Sequence, residues 1–148
     1  MVRKIGARMG LRFLLPALEV VVKETGGHPA LIRTLGDLVD QRVPTSGRYS
    51  ASVDVAVVQN ELPRFSTAVD EDMRELVEAA SDIDPGASEY LVSLAHRTPW
   101  AGEPSRARLI DALVSYGILH PDSQEFRIGR LATWLRENHA APVRVAHG

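Results

Sequence analysis

Two apolar helical stripes meet at Thr25-Gly26-Gly27-His28-Pro29, and no continuous helix can cross that junction. Upstream, Leu14, Leu15, Leu18, Val21 and Val22 recur at the spacing of one buried helical face, with Pro16 in the first turn, where the missing N–H costs nothing. Gly26-Gly27 then stops that helix, since glycine accepts the left-handed backbone common just past a helix end. Pro29 starts another at once, and Leu31, Ile32, Leu35, Leu38, Val39 and Val43 carry its stripe as far as Pro44. The expected element is an αα-hairpin whose corner is Thr25-Gly26-Gly27-His28-Pro29.

The rest of the chain follows the same periodic logic. Residues 44–51 are turn-rich (Pro44, Thr45, Ser46, Gly47) and read as an exposed loop. Ser52 to Glu61 is ambiguous, because Val53, Val55 and Val57 alternate like a strand while Ser52 and Asp54 look like a helix start; the reading adopted is a short helix. From Thr67, the set Val69, Met73, Leu76, Val77 and Ala80 makes a further helix, with Asp70, Glu71 and Asp72 near its positive end. Asp84-Pro85 reads as an N-cap with proline at the first helical position, followed by Tyr90, Leu91, Leu94 and Ala95 as a buried face. After the linker Thr98 to Pro104, a helix through Leu109, Ile110, Leu113 and Val114 stops at Gly117. Ile118-Leu119-His120 and Glu125-Phe126-Arg127-Ile128 then form a short hairpin around Pro121-Asp122-Ser123, and a last helix turns Leu131, Trp134 and Leu135 inward. Helix, helix, small hairpin, helix is the order of a winged-helix module. The expected fold class is therefore mainly α: a helical bundle at 1–81, a winged-helix domain at 84–138 with a small β-hairpin, and a flexible tail at 139–148.

Composition narrows the function classes. The 148 residues are 45% hydrophobic with a net charge of −2, enough for one sizeable core or two small ones. Residues 1–81 carry 10 Lys/Arg against 11 Asp/Glu and residues 82–148 carry 7 against 8, so neither part has the basic footprint usual for nucleic-acid binding. Fifteen of the 17 basic residues are Arg, which a GC-rich genome alone would produce, although Arg is also the better residue for gripping phosphates and carboxylates. The absence of cysteine removes disulfides and thiolate metal sites, and no apolar run has signal-peptide or membrane-spanning character. The sequence thus reads as cytoplasmic, with no membrane partner.

Met9-Gly10-Leu11-Arg12-Phe13, leading to Glu24-Thr25-Gly26-Gly27-His28-Pro29-Ala30-Leu31-Ile32-Arg33, resembles the lid of STAND-type and archaeal-type P-loop ATPases, relatives of the AAA proteins. Leu113-Val114-Ser115-Tyr116-Gly117-Ile118-Leu119, then Phe126-Arg127-Ile128 and Thr133-Trp134-Leu135-Arg136, is similar to the family's winged-helix ending, so the resemblance covers nearly the whole chain. It implies that Gly26, Gly27, His28 and Pro29 lie against the adenine of ATP or ADP held by a P-loop domain, in cis or in trans. It also implies that Arg33 is a phosphate sensor and that nucleotide state is passed to a protein partner or effector. No Gly-x-x-x-x-Gly-Lys-Ser/Thr sequence occurs, and no apolar strand ends in the acidic pair that positions Mg²⁺, so the chain is expected not to be an enzyme by itself and to take no cofactor alone. Met1 stands just before the stretch that would enter the lid, and the chain reads as a piece of a longer protein, a cloned domain or a truncated product.

Each of these residues also has a plainer reading. His28 is as an N-cap residue able to bond locally, Arg33 can be a solvated helix charge, and His96, His120, His139 and His147 have no metal-ligand spacing. The acids at 70–78 read as a solvated helix face rather than as paired catalytic carboxylates. A second class of function is a winged-helix DNA-binding regulator, with 1–81 for dimerisation or sensing and with Arg106, Arg108, Arg127 and Arg130 meeting phosphates. The interleaved Glu103, Asp111, Asp122 and Glu125 would repel the same phosphates, which disfavours DNA and favours protein contact or solvation. A third is a helical adaptor that binds only protein.

Overall fold

The computed structural model of the chain describes residues 11–42, 51–100, 106–122 and 125–140. Among these the protein is mainly α, with seven helices and one two-stranded parallel sheet. In chain order they are β1 (Leu11–Phe13), α1 (Leu15–Thr25), α2 (Pro29–Asp40), β2 (Ala51–Val53), α3 (Val55–Ala68), α4 (Asp70–Ile83), α5 (Ala87–Ala95), α6 (Arg106–Ser115) and α7 (Gly129–Asn138). The chain divides into two compact units: residues 1–71 with 127–130, and residues 72–126 with 131–148. Met9-Gly10, residues 43–50 (all of the expected loop but Ala51), Glu103 and Pro104 of the expected linker, Ser123 of the expected hairpin turn, and residues 141–148 of the expected tail lie outside the described residues.

In the first unit, β1 and β2 pair in parallel with Leu11 opposite Ala51 and Phe13 opposite Val53, and the Leu14 N–H extends the pairing to the Val53 carbonyl at 2.9 Å. Parallel neighbours need a long crossover, and the αα-hairpin lies within it. Helices α1 and α2 pack on each other and both pack on α3. Ala17 and Val21 of α1, Leu31, Ile32, Leu35 and Val39 of α2, and Val58 and Phe65 of α3 are buried together with Val53. The sequence expectation for α1 needs correction. Leu14, Leu15 and Val22 remain 44%, 62% and 49% exposed, and the buried line is Ala17, Val21 and Thr25. Two adjacent apolar faces were available, and helical periodicity does not choose between them.

The Ser52–Glu61 ambiguity resolves into both readings in succession. Val53 ends a strand, and Asp54, not Ser52, caps α3: its Oδ1 accepts the Val57 N–H at 3.1 Å. The helix then runs through Pro63 to Ala68, longer than the short helix expected, because Val58, Glu61 and Phe65 continue one buried face.

In the second unit, Met73, Val77 and Ala80 of α4 form the buried line anticipated from sequence, and Tyr90, Leu91 and Ala95 of α5 are buried likewise. Asp84 caps a turn rather than a helix: its Oδ1 accepts the Gly86 N–H at 2.8 Å, and α5 begins only at Ala87. Gly117 does stop α6, in the left-handed region at φ 73°, with the Ile118 N–H returning to the Leu113 carbonyl at 3.0 Å. The same closure after α5 uses Arg97, at φ 56°, with Thr98 N–H on the Ser93 carbonyl at 2.8 Å. His96 Nε2 lies 2.7 Å from the His139 carbonyl, and Arg136 donates to the Ala95 carbonyl at 3.3 Å, so the ends of α5 and α7 are held together. Leu131, Trp134 and Leu135 point inward as expected. The expected hairpin is not shown among the described residues: Leu119 and Phe126 form one isolated antiparallel bridge, with the His120 N–H on the Glu125 carbonyl at 2.8 Å. Arg127 and Ile128, expected in its second strand, lie against Gly26 instead, and α7 begins at Gly129.

One buried charge in the first unit tests how polar groups are accommodated. Glu61 has a side chain only 6% exposed, 3.1 Å from Arg42 Nε and 3.1 Å from Arg64 Nη1, whose own side chains are 61% and 41% exposed. Arg64 also donates to Gln41 Oε1 at 2.9 Å. Removing the arginines would strand a buried carboxylate, whereas removing the carboxylate leaves two cations that rehydrate. Urea unfolding is therefore expected to show Arg42→Gln/Arg64→Gln costing about 3 kcal/mol and Glu61→Gln about 1 kcal/mol; the reverse order would contradict this account of the pair.

Candidate functional site

The corner is built from its own threonine outward. Thr25, fully buried, donates its hydroxyl to the Val21 carbonyl at 2.6 Å and receives the Gly27 N–H on the same oxygen at 3.3 Å, while its carbonyl takes the His28 N–H at 3.0 Å. Gly26 and Gly27 both hold positive φ, 61° and 76°. His28 is the N-cap residue of α2 by backbone, its carbonyl accepting the Ile32 N–H at 2.9 Å, but its imidazole makes no capping hydrogen bond. Gly26 is half-buried, and Gly27, His28, Pro29 and Ala30 are exposed, as is Arg33 one turn further on. The residues singled out from sequence therefore do come together on one outward-facing bend.

A second segment reaches this bend from far along the chain. Arg127 Nε donates to the Gly26 carbonyl at 3.2 Å across 101 positions of sequence. A Cβ on Gly26 would stand 2.7 Å from the Arg127 carbonyl oxygen and 2.9 Å from Ile128 Cγ1, and one on Gly129 would stand 2.6 Å from the Lys23 carbonyl oxygen. Ile128 and Arg130 are buried. Of the four arginines considered for nucleic acid, Arg108 is exposed, Arg127 is exposed but bonded to the corner, Arg130 is buried, and Arg106 opens α6.

The sequence alone assigns no role to Glu24, one residue before Thr25, because a charged residue at a helix end is ordinarily solvated. Here its Oε2 is buried without a hydrogen-bond partner. Burial raises the Glu24 pKa from the usual carboxylate value, opposed by the nearby positive charges of Arg130 and Lys23. No cluster of three potential metal ligands occurs among the described residues, and no described helix is long and apolar enough to cross a membrane. No family model, curated protein or solved structure matches the chain.

Two outcomes follow from this geometry. Gly27→Ala meets nothing within 4 Å and carries only the left-handed backbone penalty, about 1 kcal/mol. Gly26→Ala adds a collision with the Arg127 backbone and is expected to cost about 3 kcal/mol in thermal or urea unfolding; equal costs would refute the close approach. For Glu24, the native state holds its proton to higher pH than the unfolded chain. Its contribution is thus favourable below the ordinary carboxylate pKa and is lost as pH rises through the raised one. Unfolding of wild type and Glu24→Gln, compared at acidic and neutral pH, should show the difference moving in favour of Gln as pH rises, and a pH-independent difference would rule out a raised pKa.

Proposed function

We propose that this chain is the nucleotide-lid and winged-helix part of a STAND/AAA-like P-loop ATPase. It closes over ATP or ADP held by a P-loop domain, in cis or in trans, and passes nucleotide state to a protein partner or effector. The observation that carries the reading is a corner held by hydrogen bonds of Thr25, Gly26 and Arg127 that nevertheless presents Gly27, His28 and Pro29 to the outside. A flat, rigid backbone surface ending in a proline ring suits the face of a purine. Ala30 and Leu31, in the first turn of α2, lie where a helix has N–H groups to spare, with Arg33 beyond them as the candidate phosphate sensor. Leu14, Leu15 and Val22 on α1 supply apolar surface for the P-loop neighbour. The order α5, α6, single bridge, α7 supports the winged-helix assignment.

On this reading the chain turns over no nucleotide by itself, since the phosphate-holding and Mg²⁺-positioning residues come from the P-loop domain. The DNA-regulator reading gains less support: Arg130 is buried and Arg127 is committed to the corner, which removes half of the expected phosphate contacts. Amide-shift mapping of the isolated chain with ADP is expected to give weak binding, with a Kd on the order of 1 mM or above, and shifts concentrated at Gly26, Gly27, His28, Ala30 and Arg33. Pro29→Ala should diminish those shifts. Shifts confined to α6 on adding duplex DNA, with none from ADP, would replace the lid reading by the regulator.

A further inference from the structure

We infer that Arg127 and Gly129 are positioning residues for the corner, a latch that holds Gly26–Pro29 in its presenting conformation from the far end of the sequence. Three contacts carry the inference, and they are interlocked. The Arg127 guanidinium bonds the Gly26 carbonyl at 3.2 Å. The Arg127 carbonyl and Ile128 occupy the space that a side chain on residue 26 would fill. Gly129 lies so close to the Lys23 carbonyl that any side chain there would collide with it at 2.6 Å.

A left-handed Gly-Gly pair would otherwise be the most mobile point of the hairpin, because glycine has the most backbone freedom to lose. Within the hairpin the bend rests on the bonds of Gly27 and His28 N–H to Thr25, at 3.3 and 3.0 Å. The latch adds a restraint from outside the hairpin. Arg127 does this through Nε in particular: the planar guanidinium donates sideways to a carbonyl while its stem stays along the surface, a geometry that a lysine ammonium does not reproduce. Residues 127–130 therefore belong functionally to the corner, although the sequence placed Arg127 and Arg130 on a nucleic-acid face.

The experiment is amide hydrogen exchange of the full chain, with ADP titration as a second readout. This second readout rests on the lid reading; the first does not. In Arg127→Gln and Arg127→Lys, exchange at Gly27 and His28 is expected to rise about tenfold, with exchange at Val21 in α1 unchanged and the melting temperature within about 2 °C of wild type, as suits an exposed side chain. Gly129→Ala should accelerate the corner amides further. Arg33→Gln, which does not touch the latch, should leave them as in wild type. ADP-induced shifts at Gly27 and Ala30 should fall several-fold in both Arg127 variants. Corner exchange equal to wild type in both Arg127 variants overturns the inference, as does acceleration of Gly27, His28 and Val21 together, which is the mark of a merely structural role. If exchange accelerates as expected but wild type shows no ADP-induced shifts, the latch stands and the lid reading falls.

Discussion

The backbone of α1's last turn and the backbone of residues 127–129 touch without side chains between them, and the candidate site depends on that approach. Two glycines make it possible from opposite sides, Gly26 beneath the Arg127 carbonyl and Gly129 beneath the Lys23 carbonyl. Polar backbone groups brought so close must find partners, and the Arg127–Gly26 hydrogen bond meets part of that need. The same approach draws Ile128 into the interior and buries Arg130 near Glu24, whose carboxyl then pays for its desolvation with a raised pKa. A bend that would be a loose connection in an isolated hairpin becomes a supported platform.

The bend is asymmetric. Its inner side is tied down through Thr25, Gly26 and Arg127, and its outer side carries Gly27, His28 and Pro29 with little of their surface covered. The neighbouring face of α1 adds Leu15 and Val22, apolar and exposed, while Ala17 and Val21 take the interior. The helix thus has two apolar sides, one consumed by its own unit and one left outward.

Much of the fold was legible in the residues. Gly26-Gly27 and Pro29 marked the corner, Gly117 the end of α6, and Met73, Val77 and Ala80 the inner line of α4. These depend on local chemistry: backbone freedom, a missing N–H, the helical repeat. Less legible was anything that required choosing between equal local options. Of the expected stripe on α1, Val21 is buried but Leu14, Leu15 and Val22 are not, Ala17 taking the interior instead, and Ser52 and Asp54 were both competent caps. The hairpin expected over Ile118 to Ile128 is not shown: the described residues give a single bridge, Leu119 to Phe126, and Arg127 and Ile128 lie against Gly26.

By itself the sequence determined the break and restart at Gly26-Gly27 and Pro29 and the stop at Gly117, where glycine and proline act through the backbone of their own residues, although Gly36 and Pro63 are carried inside helices. It also determined a mainly α chain with a bent hairpin near its start and little net charge to attract nucleic acid. Only the tertiary structure decided which face of α1 is inward, that Glu61 is enclosed by two arginines, and that Arg127 serves the corner rather than an open basic face. Those outcomes come from contacts between residues as many as 101 positions apart. Steric fit and desolvation at such contacts depend on which segments meet, and no local pattern carries that information.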